Sequence, residues 1–200
     1  MFKIYAKNIL NWRDKSETDM NFTACCLFAS LIFASLPVFA QKAMGVFEQT
    51  ADIGPVMHAG KTEYDSKTQT YRLSGSGANI WLAKDEFHYA WKSVKGDLIL
   101  QCRGKLLGTG VDPHRKFGWM VRAGLETDAP MVAATVHGDG LTAIQYRKRA
   151  GANIEEVKSP VNRPDVIELE RRGRSFLPSR AIRGGRRARL SGLRAKAPCQ

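Results

Sequence analysis

The stretch "MVAATVHGDGLTAIQYRKR", residues 131–149, predicts the fold of this chain. Two apolar-rich runs, residues 131–137 and 141–149, flank the tripeptide Gly-Asp-Gly at 138–140. Because Asp and Gly tolerate positive φ, this tripeptide between two such runs indicates a hairpin turn. The stretch therefore predicts two antiparallel strands joined by a tight connection.

Period-two patterns occur on both sides of this hairpin. Further strands are predicted at residues 70–81, 86–91, 96–107, 117–126, 153–159 and 165–173. Strands that recur every ~8–12 residues, with Gly-rich turns between them, are typical of a β-sandwich or jelly roll. No window longer than ten residues has a helical period, although residues 82–85 allow a short helical turn. The fold class expected is an all-β, antiparallel sandwich.

The alternation also predicts which side chains face the core. In the strand predicted at 96–107, Leu100 and Cys102 lie on the same face. In the strand predicted at 117–126, Trp119 and Val121 lie on the same face. Trp91 and Trp119 are expected to fill the core, because large aromatic side chains dominate core burial. Cys102 is expected to be a small buried apolar side chain and not part of a disulfide framework.

The N-terminal region is predicted to be a signal peptide covering residues 1–40. Residues 21–41 carry no charge, and Val38 and Ala40 fit a signal-peptidase site with cleavage after Ala40. Met20 is a possible true start. An uncleaved membrane anchor is the alternative, since ~18–20 apolar residues can span a bilayer. Either way the protein is expected to be exported, to the periplasm or the cell surface.

The charge of the chain is concentrated at its C-terminal end. The whole chain has 31 basic and 19 acidic residues, a net charge of +12, but residues 171–200 hold ten Lys or Arg and no acid. Residues 41–170 are nearly balanced, with 17 basic and 16 acidic residues. Specific nucleic-acid binding is not expected, because the basic residues lack interleaved aromatic ones for stacking. Residues 177–200 are predicted to be a disordered basic tail of frameshifted or unrelated origin.

Three motifs in order resemble a known kind of domain: "DEFHYAWKSVKGDLILQCR" at 85–103, "GVDPHRKFGWMVR" at 110–122 and "HGDGLTAIQYR" at 137–147. They resemble concanavalin A-like jelly rolls, and more narrowly the N-terminal module of secreted Bacteroidota proteins labelled as TolB-family or biopolymer-transporter proteins. The resemblance covers about residues 45–176 and implies a jelly roll over 41–176. In those relatives further strands and a propeller follow, so the resemblance implies a sandwich that is incomplete at its C-terminus.

Catalytic chemistry finds little support in the sequence. A glycosidase needs two facing carboxylates ~5–10 Å apart. Glu155 and Glu156 are adjacent and would point to opposite faces of a strand. Glu168 and Glu170 share a face but lie in a strand predicted to be near a sheet edge. No metal-ligand spacing, nucleophile motif or phosphate loop occurs, so no catalytic residue, metal or cofactor is expected.

Carbohydrate binding is the function that the sequence favours. Sugars are recognised by flat aromatic faces together with planar polar groups. Trp81 is a candidate stacking platform. The polar face opposite Phe87, Tyr89 and Trp91 supplies the other candidates, if neighbouring strands align: His88, Gln101, Arg122, Thr135, His137 and Gln145.

Three functions of different classes therefore stay open. The first is an exported, non-catalytic module that binds glycan or another cell-envelope partner, as the resemblance implies. The second is a jelly-roll glycoside hydrolase, and the third is a structural accessory domain without a ligand of its own. Fold analogy does not choose among them.

Overall fold

The regular structure of the described residues is entirely β. The structure, a computed structural model, describes residues 2–5, 44–110, 112–177, 181–183, 186–188 and 195–196. Within these ranges every strand pairing is antiparallel and no helix occurs. The prediction of an all-β antiparallel fold consistent with a β-sandwich is confirmed. No helix among the described residues has the length and apolar character needed to cross a membrane.

The described strands are numbered in chain order. They are β1 (Phe2–Tyr5), β2 (Gln49–Ile53), β3 (Lys61–Asp65), β4 (Thr70–Ser74), β5 (Phe87–Trp91), β6 (Leu98–Leu106), β7 (Lys116–Arg122), β8 (Met131–His137), β9 (Thr142–Arg147), β10 (Glu155–Lys158), β11 (Val166–Arg172), β12 (Ser175–Leu177), β13 (Ala181–Arg183), β14 (Arg186–Ala188) and β15 (Ala195–Lys196).

Three sheets arise from these strands. Among the described residues, nine strands form a sheet with the order β14-β13-β11-β6-β1-β4-β3, with β12 beside β11 and β15 beside β12. Four strands form a second sheet with the order β10-β9-β8-β7, and β2 and β5 form a third. The hairpin predicted over residues 131–149 is β8–β9, the centre of the four-stranded sheet.

The hairpin turn has the chemistry that the sequence predicted. Gly140 adopts a φ of 101°, which only glycine adopts without strain. Its N–H donates to the carbonyl of His137 over 3.0 Å, and the Asp139 carboxylate accepts from Leu141 N–H at 2.9 Å. The turn therefore sets the register in which Ala134 lies opposite Ile144.

The core lies between the nine-stranded and the four-stranded sheets. Val132, Ala134 and Ile144 from the smaller sheet pack against Leu169 and Phe176 from the larger one. A second cluster joins residues of both sheets: Cys102, Phe117, Val136 and Ile167. This is sheet-on-sheet packing, in which alternate side chains of each strand face inward.

The predicted inward faces are correct for the core strands. Trp119 packs against both core clusters, and Leu100 and Val121 pack against the first. Cys102 is buried, as predicted, and burial raises the pKa of its thiol to about 12, although the Trp119 side chain beside it acts in the opposite direction. Trp91 is half buried, as Trp119 is, but it packs against none of the described core clusters, so the prediction that it fills the core is wrong.

The strand predicted over residues 70–81 ends early, at Ser74. The glycines after it let the chain run closely along the start of β5: a Cβ added to Gly77 would lie 1.8 Å from the Glu86 carbonyl oxygen. Glu86 N–H donates to the carbonyl of Asn79 over 2.8 Å. Trp81 therefore lies in a loop and not at the end of a strand. Residues 82–84 form bends without a helical turn, and Asp85 forms an isolated antiparallel bridge with Ile80.

Both predicted terminal segments fall largely outside the described residues. The predicted signal peptide over 1–40, the possible start at Met20 and the cleavage site are not described, apart from β1, which pairs with β4 and β6. In the basic segment, β13 pairs with β11 where Ile182 lies opposite Val166. The export signal, the boundary at residue 176 and the origin of the tail stay predictions.

A buried cluster of charged side chains joins the loops at one end of the four-stranded sheet. The Asp85 carboxylate, fully buried, lies 2.7 Å from Arg147 Nη2, 2.8 Å from Arg147 Nη1 and 3.1 Å from Arg122 Nη1. Arg147 also donates to the carbonyls of Leu82, Ala129 and Ala152. Every charge in the cluster thus has a partner, which a buried charge requires.

Removal of the Asp85 carboxylate should destabilise the fold strongly. In Asp85→Ala two buried guanidinium groups lose their counter-charge, and breaking a buried ion pair from one side costs about 3–5 kcal/mol. Urea unfolding followed by circular dichroism measures the loss. The matched control is Glu155→Gln, which removes an exposed carboxylate paired with Lys148 and should leave the midpoint unchanged. A loss below about 1 kcal/mol for Asp85→Ala would contradict this account.

Candidate functional site

A cleft of about 630 Å³ lies along the outer edge of β7. Its walls come from β5, from β7 and from the first residues of β6, and the segment 73–80 closes one side. This volume is in the usual range for a site that holds a ligand of modest size, ~300–1,000 Å³. The cleft is therefore the candidate functional site.

Among the described strands, the main chain of β7 pairs with β8 alone, along one edge. Just beyond the paired residues, Gly138 N–H donates to the Arg115 carbonyl, and Ala123 N–H donates to the Pro130 carbonyl. Hydrogen-bonded pairs alternate in an antiparallel ladder, so the odd-numbered residues of β7 bond to β8. The main-chain groups of its even-numbered residues point the other way, into the cleft: Lys116, Gly118, Met120 and Arg122.

A tyrosine bridges the space between β5 and β7. The Tyr89 hydroxyl donates to the Met120 carbonyl over 3.0 Å, and burial raises the pKa of that phenol, although the charge of Arg122 acts against the rise. Among the described strands β5 pairs with β2 alone. Because a side chain stands where paired strands would exchange main-chain bonds, β5 and β7 are further apart than the ~4.8 Å of neighbouring strands.

The walls of the cleft are rich in aromatic and aliphatic groups. Phe87, Tyr89 and Trp91 alternate along β5 and all line it. Within the described residues the buried indole N–H of Trp91 has no hydrogen-bond partner, which is unusual for a buried tryptophan. Val94 and Ile99, 37% and 47% exposed, also line the cleft, as does Leu125. Such partly exposed side chains are ones that a ligand can cover.

Positive charge predominates over negative charge in the cleft. Of the described residues that line it, two are carboxylates, Glu86 and Asp112, and both accept main-chain hydrogen bonds, from Ala78 and from His114. Five are basic: Lys92, Arg115, Lys116, Arg122 and Arg171. Burial lowers the pKa of Lys116, against the opposing charges of nearby carboxylates. Its ammonium group donates to Asn79 Oδ1 over 3.1 Å.

Four of the polar residues expected to share a face do so. Arg122, Thr135, His137 and Gln145 lie on the side of the four-stranded sheet that faces away from the core. Arg122 and Thr135 line the cleft, with the Arg122 guanidinium 5.2 Å from the centre of the Phe87 ring. His137 and Gln145 are buried beside it and do not line it. Among the described residues, no group is placed to accept or donate at His137 Nδ1 or Gln145 Oε1.

The other three expected residues do not lie on this face of the four-stranded sheet. Gln101 belongs to β6 in the nine-stranded sheet, where its amide donates to Glu168 over 3.2 Å, although it does line the cleft. His88 also lines the cleft, but its ring bonds to Asp52 on the neighbouring strand β2. Trp81, 41% exposed, lies outside the cleft in the loop beside Ile154. The common face expected from the sequence therefore holds only part of the set.

A hydrogen-bonded chain through His88, not predicted from the sequence, joins β2, β3 and β5. Asp52 Oδ1 lies 2.7 Å from His88 Nδ1, and His88 Nε2 lies 2.8 Å from Thr50 Oγ1 and 2.9 Å from Thr62 Oγ1. Since a carboxylate only accepts, Nδ1 carries a proton and donates to Asp52. Burial raises the pKa of Asp52, but bonds from Gly60 and His88 outweigh it and lower the pKa.

The carboxylates considered for catalysis do not face one another across the cleft. Glu155 accepts from the Tyr146 hydroxyl, and Glu156 accepts from the Gln145 amide, so the adjacent pair points to opposite faces as predicted. Glu170 pairs with Arg172. In the part of the chain that the structure describes, no three His, Cys, Asp or Glu side chains are grouped to hold a metal ion.

Comparison of this chain with protein-family models, with curated proteins and with solved structures finds no match. The resemblance to TolB-associated modules accordingly stays a prediction.

His137 should make stability depend on pH in acid. Burial, and then the charge of Lys116, lower its pKa from 6.5 to about 4, although Glu156 and Asp139 act in the opposite direction and His114 adds to the lowering. Between pH 6.5 and about 4 the unfolded chain therefore binds more protons than the folded one. The contribution of His137 is constant above this window, and stability falls as the pH falls through it.

Melting temperatures at pH 7 and pH 5 test this account. The decrease in melting temperature from pH 7 to pH 5 should be smaller in His137→Gln than in the unchanged protein. His58 is exposed and serves as the matched position, so His58→Gln should keep the full fall. An equal fall in all three proteins would show that His137 does not supply the effect.

Proposed function

We propose that this chain is an exported, non-catalytic binding module that holds a polymer of the cell envelope in the cleft along β7. The polymer is a carbohydrate or an extended segment of a partner protein. The finer description of the fold belongs to the same proposal: a concanavalin A-like jelly roll of the kind that accompanies TolB-type propellers.

The cleft is the observation that carries this proposal. It combines aromatic walls, partly exposed aliphatic side chains and polar groups, which is the composition of a ligand site. The unpartnered indole N–H of Trp91 supports a ligand that accepts a hydrogen bond there. A purely structural accessory domain would have no need of such a wall.

The non-catalytic part of the proposal rests on the carboxylates. The two that line the described part of the cleft, Glu86 and Asp112, each accept from a main-chain N–H, as loop carboxylates commonly do. A glycoside hydrolase would need one carboxyl group to act as an acid and another to act as base or nucleophile across the ligand. Reducing-sugar release from a polysaccharide panel should therefore stay at background.

The cleft itself is tested with a matched pair of substitutions. Ile99→Glu places a charge in the cleft, where an apolar face of the ligand would have to desolvate it. Met57→Glu makes the same change at a side chain that is 83% exposed and outside the cleft. The probes are a glycan array and synthetic heptapeptides in which Val alternates with Glu or with Lys. Each probe that binds should lose at least about tenfold affinity in Ile99→Glu and keep it in Met57→Glu.

Two results would count against the proposal. One is that neither glycans nor heptapeptides bind the full chain. The other is that bound probes respond equally to Ile99→Glu and Met57→Glu, since binding would then lie outside the cleft.

A further inference from the structure

The cleft runs beside a strand edge whose hydrogen-bonding groups no described strand pairs. Four residues of β7, every second one from Lys116 to Arg122, direct their N–H and C=O groups toward it. An unpaired edge is a template for another strand. A sugar ring offers hydroxyls in many directions, whereas an extended peptide repeats its donors and acceptors with the same period of two as β7.

One hydrogen bond bridges the gap beside β7, and a bond from an added strand can replace it. The Met120 carbonyl accepts from the Tyr89 hydroxyl, a side-chain donor in the position of a main-chain N–H. An incoming strand would donate its own N–H to this carbonyl and displace the phenol. The aromatic ring of Tyr89 would stay as part of the wall.

The two faces of the gap differ in chemistry. On the core side lie Leu100, Trp119 and Val121, which are apolar and partly buried. On the other side lie Lys116 and Thr135, and basic groups outnumber carboxylates around the cleft. A strand in the gap would direct alternate side chains to these two faces.

We infer that the cleft takes an extended polypeptide of a partner protein, with alternating apolar and acidic residues, as an added strand beside β7. The apolar side chains lie toward Trp119 and Val121, and the acidic ones lie toward Lys116. This inference rests on the proposed function and names its ligand class. It corresponds to the general mode in which main-chain bonds supply affinity and alternate pockets supply specificity.

Synthetic heptapeptides test the inference, because β7 itself has seven residues. The first peptide alternates Val and Glu, and the second alternates Val and Lys; both carry an N-terminal fluorophore. Fluorescence anisotropy with the full chain measures the dissociation constants. The Val/Glu peptide should bind with a dissociation constant below about 1 mM and at least about tenfold more tightly than the Val/Lys peptide.

N-methylation distinguishes strand addition from other modes of binding. In a strand, alternate residues direct their amides to opposite edges. One Val/Glu peptide is N-methylated at its Val residues and another at its Glu residues. One of the two should lose at least about tenfold more affinity than the other. Equal losses, or none in either peptide, would overturn the inference.

Two protein variants complete the test. Tyr89→Phe removes the hydroxyl that competes for the Met120 carbonyl, so the Val/Glu peptide should bind about threefold more tightly. Lys116→Gln should reduce the preference for Glu over Lys. Lys67→Gln, at an exposed residue outside the cleft, should leave that preference intact. An unchanged preference in Lys116→Gln would refute the assignment of the acidic side chains.

The outcomes separate this inference from the proposed function. If glycans bind in a manner sensitive to Ile99→Glu and the heptapeptides do not bind, the proposed function stands and the polypeptide inference falls. If neither class binds, both fall.

Discussion

The paired charges of Asp85, Arg122 and Arg147 are the constraint on which the rest of this structure depends. One carboxylate, without exposure to water, accepts from two guanidinium groups that come from different strands of the four-stranded sheet. Burial of these charges is tolerable only because each has a partner and the remaining donors of the guanidinium groups reach main-chain carbonyls. The cluster thereby holds the loop 80–86 against the ends of β7 and β9.

The position of that loop shapes the cleft. Asp85 lies two positions before the first residue of β5, so its bond to Arg122 fixes the start of β5 near the end of β7. The Tyr89 hydroxyl then reaches the Met120 carbonyl and no main-chain pairing between the two strands occurs. A side-chain hydrogen bond thus joins two described strands that do not pair through their main chains. The edge of β7 that no described strand pairs gives the cleft its hydrogen-bonding character.

The sequence predicts the structure correctly where a period of two along a strand, or a turn residue, carries the information. The β8–β9 hairpin follows from Gly-Asp-Gly, and the inward faces of β6 and β7 follow from alternation, because a strand directs neighbouring side chains to opposite faces. The predictions that Trp91 fills the core and that Trp81 ends a strand are wrong. Alternation does not say whether a sheet lies over a given face of β5, and the glycines at 75 and 77 read equally as a bulge or as the end of a strand.

The amino-acid sequence by itself determined that this chain forms antiparallel strands, where the central hairpin turns, and which side chains of the core strands are buried. These are properties of neighbours along the chain, and local geometry settles them. Only the tertiary structure decided that Gln101 lies in a different sheet from Arg122, that His88 meets Asp52 and two threonines, and that no described strand pairs with one edge of β7. Those relations join residues that are 20 to 60 or more positions apart, and they depend on how three sheets pack, which no short-range pattern encodes.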